Sequence, residues 1–346
     1  MESKESWLME PRGVGGILAA TWRAYVSWSG TALVIGAVIL LPSAIVQAFT
    51  GYVAAELGVE KMAEAMKAGT GTLANLDLRP MILVGAYQAV SYAILLVSSF
   101  LATAAIARTV AERAVGQTPG PAWGLDWVLR EIWRLGLGSL AYTLVWFGVL
   151  IVGGLAASLA SAPMAIAMGG KAASGPNQTM IQLVSGAAML IPMSIFAAYL
   201  APAPAVAGIE RRGGFGSVGR SFGLVSGSFG RAFLVTLAAM AIVGIPSAGL
   251  GLGLQKLALK PIQAALGEAN GALVAGIPQS LVMVLLSPFA SALSVILYLN
   301  LRLRKTEEGF TPTELAYDLG YEPAGEPPPS PFGSSPSTVG DADGSS

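Results

Sequence analysis

Long stretches without a single Asp, Glu, Lys or Arg recur six times along the chain: Thr31–Thr50, Met81–Ala107, Leu137–Met168, Met180–Ile209, Ala232–Gln255 and Ile277–Asn300. A hydrocarbon core is ~30 Å thick, so an α-helix needs about 20 apolar residues to cross it. Each stretch meets that length, and several exceed it, which predicts tilt or continuation past the interface. Between them, polar and apolar residues mix at helical spacing. Ahead of the odd-numbered spans lie Val14–Gly30, Trp123–Gly136 and Phe215–Gly230, each combining aromatics, aliphatics, Gly and Arg. In Trp123–Gly136, Trp123, Trp127, Ile132 and Leu135 share one broad face, while Asp126, Arg130 and Arg134 fall on another. Such a helix suits the plane of a membrane surface.

The pattern predicts an all-α polytopic membrane protein, with six transmembrane helices forming three hairpins. Each hairpin is preceded by an interfacial amphipathic helix. The first and third units align without gaps, Gly30 falling opposite Gly230, and the repeat spacing is roughly 100 residues. The division that follows is an N-terminal segment 1–13, a membrane domain 14–305, a short polar segment 306–320 and a tail 321–346. Ala54–Ala68 and Lys256–Gly271 read as short helices in the loops between spans. The tail is rich in Pro, Ser, Gly and acids, which predicts disorder. The first 13 residues lack an apolar run with a small-residue cleavage site, so no signal peptide is expected.

Charge adds orientation. Lys+Arg and Asp+Glu are both 20, so the formal net charge is zero. The basic residues are nevertheless sorted: Lys61, Lys67, Arg79, Lys171, Lys256 and Lys260 fall on one side of the spans, and the remaining 14 on the other. An excess of Lys and Arg marks the cytoplasmic side, which predicts both termini in the cytoplasm. Composition agrees with a membrane protein. Hydrophobic residues make up 54% and charged residues 12%, against ~25% charged in an ordinary soluble chain.

Candidate chemistry is sparse. The chain has no Cys and no His, which removes thiol nucleophiles, disulfides, His bases and the usual zinc ligands. No cofactor and no metal is expected, and balanced charge gives no reason for a nucleic-acid partner. Gly214-Phe-Gly-Ser-Val-Gly219 matches G-x-G-x-x-G, but that motif has meaning only after a strand, and here a span precedes it. Glu210 is the acid nearest to any span. It is expected to form a boundary ion pair with Arg211, Arg212 or Arg220. Arg134, Arg220 and Arg231 are candidate contacts to anionic headgroups, each worth ~1 kcal/mol near the surface. The fourth span holds Pro192, Pro202 and Pro204. Proline breaks a helix, and a broken helix either exposes carbonyls to a ligand or has them satisfied by neighbours. A transport path would need a cavity lined by groups such as Gln88, Tyr92, Tyr142, Thr143, Gln182 and Tyr199.

The C-terminal half resembles a known family. Pro192, Tyr199, Pro204 and Glu210 lead into Arg220-Ser221-Phe222-x-Leu224-x-x-Gly227 with Arg231 beyond it, and Tyr298, Leu301, Arg302 and Arg304 precede Glu308-Gly309-Phe310. These stretches resemble the bacterial family named after the membrane domain of glycerophosphoryl diester phosphodiesterase. Asn300 replaces the usual acid and Gly223 a frequent Arg. The resemblance covers about 190–319. It implies the membrane module without the catalytic barrel, which would need paired histidines and acids at a metal. The expectation is a non-enzymatic protein of a bacterial plasma membrane, acting as accessory, scaffold or lipid-interacting module. Its partners would be membrane lipids and other membrane proteins. The alternative is a transporter or lipid translocator.

Overall fold

The computed structural model describes residues 10–58, 79–167, 176–257, 259–305 and 311–321. Among them every regular element is an α-helix. In chain order these are α1 (Val14–Glu56), α2 (Arg79–Ala114), α3 (Pro121–Arg130), α4 (Ile132–Ala167), α5 (Pro176–Leu200), α6 (Ala203–Ile209), α7 (Phe215–Ser226), α8 (Phe229–Leu257), α9 (Leu259–Leu266), α10 (Glu268–Lys305) and α11 (Pro312–Asp318). Six helical segments are long and apolar enough to cross a membrane: Val14–Glu56, Arg79–Ala114, Ile132–Pro163, Leu183–Ile209, Phe229–Ser247 and Glu268–Lys305. The protein is an all-α, multi-pass membrane protein, and the six charge-free stretches lie on these six segments.

Two of the three expected interfacial helices are separate elements, α3 and α7. The first is not: Val14–Gly30 continues without a break into the span, making α1 a helix of 43 residues. The aligned sequence gives the reason. α7 ends at Gly227 and the chain restarts at Phe229. The aligned positions in the first unit are Ser27 and Ser29, and Trp28 between them is buried in the core. Packing of the buried indole there favours continuation of the helix. The other loop expectations fare differently. Glu56 belongs to α1, but 59–78 lie outside the described residues, as do 306–310 and 322–346. The helix expected at Lys256–Gly271 resolves into α9 and the start of α10, separated at Gly267 by a left-handed φ of 84°.

α1 and α10 run antiparallel. The Arg304 guanidinium donates to Arg12 O, Tyr25 donates to Leu285 O, and Gly51 lies against Ala272. α2 packs beside both. Its approach to α6 is closest at Gly208, where a Cβ would run into the carbonyl of Ala104. Such contacts between small residues hold membrane helices together where lipid leaves little hydrophobic drive.

Burial is graded along the bundle. At the arginine-rich end all of α6 is buried, as are Phe289, Val295, Leu297 and Leu301 of α10. Away from that end, Ile151, Leu155 and Leu159 of α4, Leu183 and Leu190 of α5, and Ile245 of α8 face outward. Exposed apolar side chains of this kind suit a lipid surrounding, because lipid tails solvate them as well as a protein core would. Pro202 and Pro204 divide α5 from α6, whereas Pro192 lies inside α5. The carbonyls at the break are taken up by neighbours: Ser221 Oγ donates to Tyr199 O at 2.6 Å, and Ser294 Oγ donates to Ala201 O. The broken helix is therefore closed by hydroxyls from α7 and α10, in line with the requirement that backbone groups in lipid be satisfied.

Candidate functional site

The polar residues of the chain converge at the arginine-rich end. Glu210 caps the C-terminus of α6, with its N–H bonded to Val206 O. Its carboxylate is 6% exposed and collects four partners. Arg212 Nε lies at 2.9 Å, Arg220 Nε at 3.2 Å from both oxygens, Tyr298 donates its hydroxyl at 3.0 Å, and Arg302 Nη1 lies at 3.9 Å. Tyr298 is fully buried and accepts from Arg302 Nη1 at 2.8 Å. Arg302 reaches on to Asp318 of α11. A continuous path of hydrogen bonds thus runs Glu210–Tyr298–Arg302–Asp318.

α11 is locally well built. Thr311 and Glu314 form a capping box, Pro312 occupies the first turn, and Leu315 and Leu319 are buried beneath the helix. This arrangement fixes the helix entry and one apolar face. Burial pushes the Asp318 carboxyl above its ordinary range, more than Arg302 lowers it. The segment makes two more contacts. Leu319 O accepts from Arg108 Nη2 at 2.6 Å, and Tyr321 donates its hydroxyl to Glu112 Oε2 at 2.6 Å. Partial burial, reinforced by the Glu112 carboxylate, pushes the Tyr321 phenol up to about 12.

The second half of the cluster surrounds Trp127 of α3. Arg108 and Glu112 pair at 2.8 Å one turn apart on α2, both nearly inaccessible. Glu131, at the α3–α4 break, is shared by Arg134 at 3.0 Å and Arg211 at 2.6 Å. The guanidinium carbons of Arg108 and Arg134 lie 5.8 and 5.9 Å from the Trp127 ring centre, within cation–π range. Nε and Nη1 of Arg108, and both Nη atoms of Arg134, are buried and meet no hydrogen-bond acceptor of the protein.

The sequence-selected residues divide as follows. Glu210 pairs with Arg212, whereas Arg211 turns away to Glu131. Arg211 is the one non-glycine residue with positive φ among the described residues, at 55°, and this local reversal separates neighbouring side chains. Arg134 and Arg220 each engage a carboxylate inside the end cluster, Arg134 meeting Glu131 and Arg220 meeting Glu210. Arg231 is half-buried, close enough to Arg304 to be repelled by it. The groups considered for a transport path do not converge. Gln88 and Tyr92 face outward, Thr143 is buried, and Tyr199 stacks on Phe222 at 4.8 Å. Tyr142 packs between Phe100 and Trp146, and the Gln182 side chain lies outside the described residues. A small cavity of about 20 Å³ lies instead among α1, α2 and α10, lined by residues including Ser43, Gln47, Ser99 and Ser280. Ser43 and Ser280 spend their hydroxyls on their own helices, donating to Leu40 O and Gly276 O.

Glu112, Glu131, Asp318 and Tyr321 were missed as site residues. A signal for two of them was present: Arg108 and Glu112 stand at i,i+4, and Thr311-x-x-Glu314 begins a short amphipathic run. The same end also carries exposed aromatics close in sequence to arginines. Trp22 is next to the exposed Arg23, Trp133 (85% exposed) is near Arg130, and Phe215 follows the exposed Arg212. No family model, curated protein or solved structure matches the chain.

Proposed function

We propose that the protein is a non-enzymatic component of a bacterial plasma membrane, with its arginine-rich end and both termini in the cytoplasm. It acts as an accessory or scaffold that engages anionic lipid headgroups around its rim. The observation that carries this reading is that the exposed aromatics Trp22, Trp133 and Phe215 stand within three residues of the exposed Arg23, Arg130 and Arg212, Arg130 and Arg212 also meeting Asp126 and Glu210. Aromatic rings favour the headgroup level, and each basic side chain gains ~1 kcal/mol near an anionic surface. The carboxylates of the end cluster also fit a structural role, since Glu112, Glu131, Glu210 and Asp318 are each engaged by arginine. The resemblance to the membrane-domain family fits as well. Glu210, Arg220, Tyr298 and Arg302, which help carry it, meet in one hydrogen-bonded group.

Native mass spectrometry of the protein released from nanodiscs of mixed phosphatidylglycerol and phosphatidylcholine tests the lipid reading. Preferential retention of phosphatidylglycerol, reduced in an Arg23→Gln/Arg130→Gln double variant, is expected. Equal retention of the two lipids would overturn it. Orientation is directly testable because the chain lacks cysteine. A single cysteine at Ser226 should react with an impermeant maleimide only after the cells are opened.

A further inference from the structure

Four guanidinium nitrogens buried without a protein acceptor are costly. Leaving a charged donor unpaired in a buried place forfeits more than leaving a neutral one. Arg108 Nε and Nη1 and Arg134 Nη1 and Nη2 are all in this condition. They belong to one place. Both guanidinium groups lie within 6 Å of the Trp127 ring centre, and Arg134 is close enough to Arg108 and Arg211 to be repelled by both. The local charge is unbalanced. Arg108, Arg134 and Arg211 face only Glu112 and Glu131, an excess of one positive charge. The indole covers ring-sized area beside each guanidinium but offers no lone pair in the plane of their N–H groups. The chain also approaches closely: Gly213 lies against the backbone and Cγ of Arg134, where a Cβ would stand 2.8 Å from Cγ.

We propose that Arg108, Arg134 and Trp127 form a binding site for a tetrahedral oxyanion of the phosphate class. Two guanidinium forks match such an anion better than point charges do, because each presents N–H groups in a fixed plane. The excess of one charge suits a singly charged phosphate, whether a diester in a lipid headgroup or free dihydrogen phosphate. Arg108 stands within two turns of the end of α2, which puts the site near the interface where both sources are present. The site is separate from the exposed rim and does not depend on it.

The test uses the full-length protein in two settings. Delipidated protein in neutral detergent is titrated with inorganic phosphate at constant ionic strength, and its thermal midpoint followed. Protein in nanodiscs of phosphatidylglycerol or phosphatidylcholine is released for native mass spectrometry. The expected result is a saturable rise in midpoint with phosphate, or retention of one tightly held phosphatidylglycerol; the first identifies a free anion and the second a headgroup. Either should be lost in Arg134→Gln and weakened about tenfold in Arg134→Lys, which keeps the charge but loses the fork. Arg79→Gln, at the other end of the bundle, should leave both unchanged. If Arg134→Gln does not fold, the Arg134→Lys comparison decides. Two results overturn the proposal: no saturable response to either probe, which leaves buried water alone on these donors, or binding that Arg134→Lys and Arg79→Gln affect equally. A lipid preference that survives in Arg134→Gln sinks this site while leaving the rim reading intact.

Discussion

The two halves of the end cluster use the same residue types to different effect. Around Glu210, one buried carboxylate is surrounded by three arginines and the Tyr298 hydroxyl, and the path closes on Asp318. Around Trp127, three arginines share two carboxylates, and four of their nitrogens face no acceptor. The first arrangement is organised by its anion and the second by an aromatic ring. A buried anion with several donors ties helices together, since removing it leaves several cations unpaired at once. A ring beside guanidinium groups positions them without satisfying them. The comparison assigns stability to Glu210 and spare binding capacity to the Trp127 side.

The largest expected effect tests the first half. Glu210→Ala removes the carboxylate that joins α6, α7 and α10, and should cost ~3–5 kcal/mol, the range for breaking a buried charge pair. Arg134→Gln should cost less than ~1 kcal/mol, because it relieves repulsion from Arg108 and Arg211 while losing one shared contact to Glu131. Reversible unfolding in mixed micelles measures both, and equal losses would erase the distinction between the halves. Next in size is Leu315→Ala. Leu315 is fully buried under α11, and truncating a buried leucine costs ~2–5 kcal/mol. That is enough to release so short a helix without unfolding the bundle. Amide exchange should rise across 312–321 and stay unchanged in α6. If α6 loosened equally, α11 and the Glu210 group would be one unit rather than two.

A smaller effect is expected at Gly208. Gly208→Ala places a methyl group against the Ala104 carbonyl of α2, and overpacking of this kind costs ~1–3 kcal/mol. The backbone of α6 must shift, because the obstacle is main chain and not a flexible side chain. The unfolding midpoint should fall, with Gly219→Ala as the control, since nothing lies within 4 Å of a Cβ there.

The spans were legible because desolvated backbone forces long charge-free helices, and such runs are visible residue by residue. The break after α5 was legible from Pro202 and Pro204. The end cluster was only half visible. Glu210 stood out as the acid at a span boundary, and its neighbour Arg212 came with it. Arg211 did not follow, because a single left-handed residue redirects it, and nothing in Glu-Arg-Arg-Gly-Gly says which residue takes that conformation. The inward turn of Arg134 was hidden for a related reason. Amphipathic spacing separates two faces of a helix, yet it does not say whether the polar face meets water or another polar face. Asp318 and Tyr321 were hidden by distance along the chain. Their partners Arg302 and Glu112 lie on two different spans, and only the docking of α11 brings the four together.

The smallest expected effect concerns Tyr321, and it separates the two contacts that hold the end of α11. The docked phenol titrates at about 12, raised by burial and by Glu112, against an ordinary value of ~10. Below pH ~10 the proton is held in both docked and released states, and the contribution of Tyr321 is fully present. Above that, the released state loses its proton first. Docking therefore weakens as pH rises through the window from 10 to 12. The side chain is 40% exposed, so the change should be a modest rise in exchange over 312–321. Tyr321→Phe should remove the pH dependence in this window while leaving the Arg302–Asp318 contact in place. If the variant keeps the same dependence, the titrating group belongs elsewhere in the cluster, and Arg108 rather than Glu112 ties α2 to the end of α11.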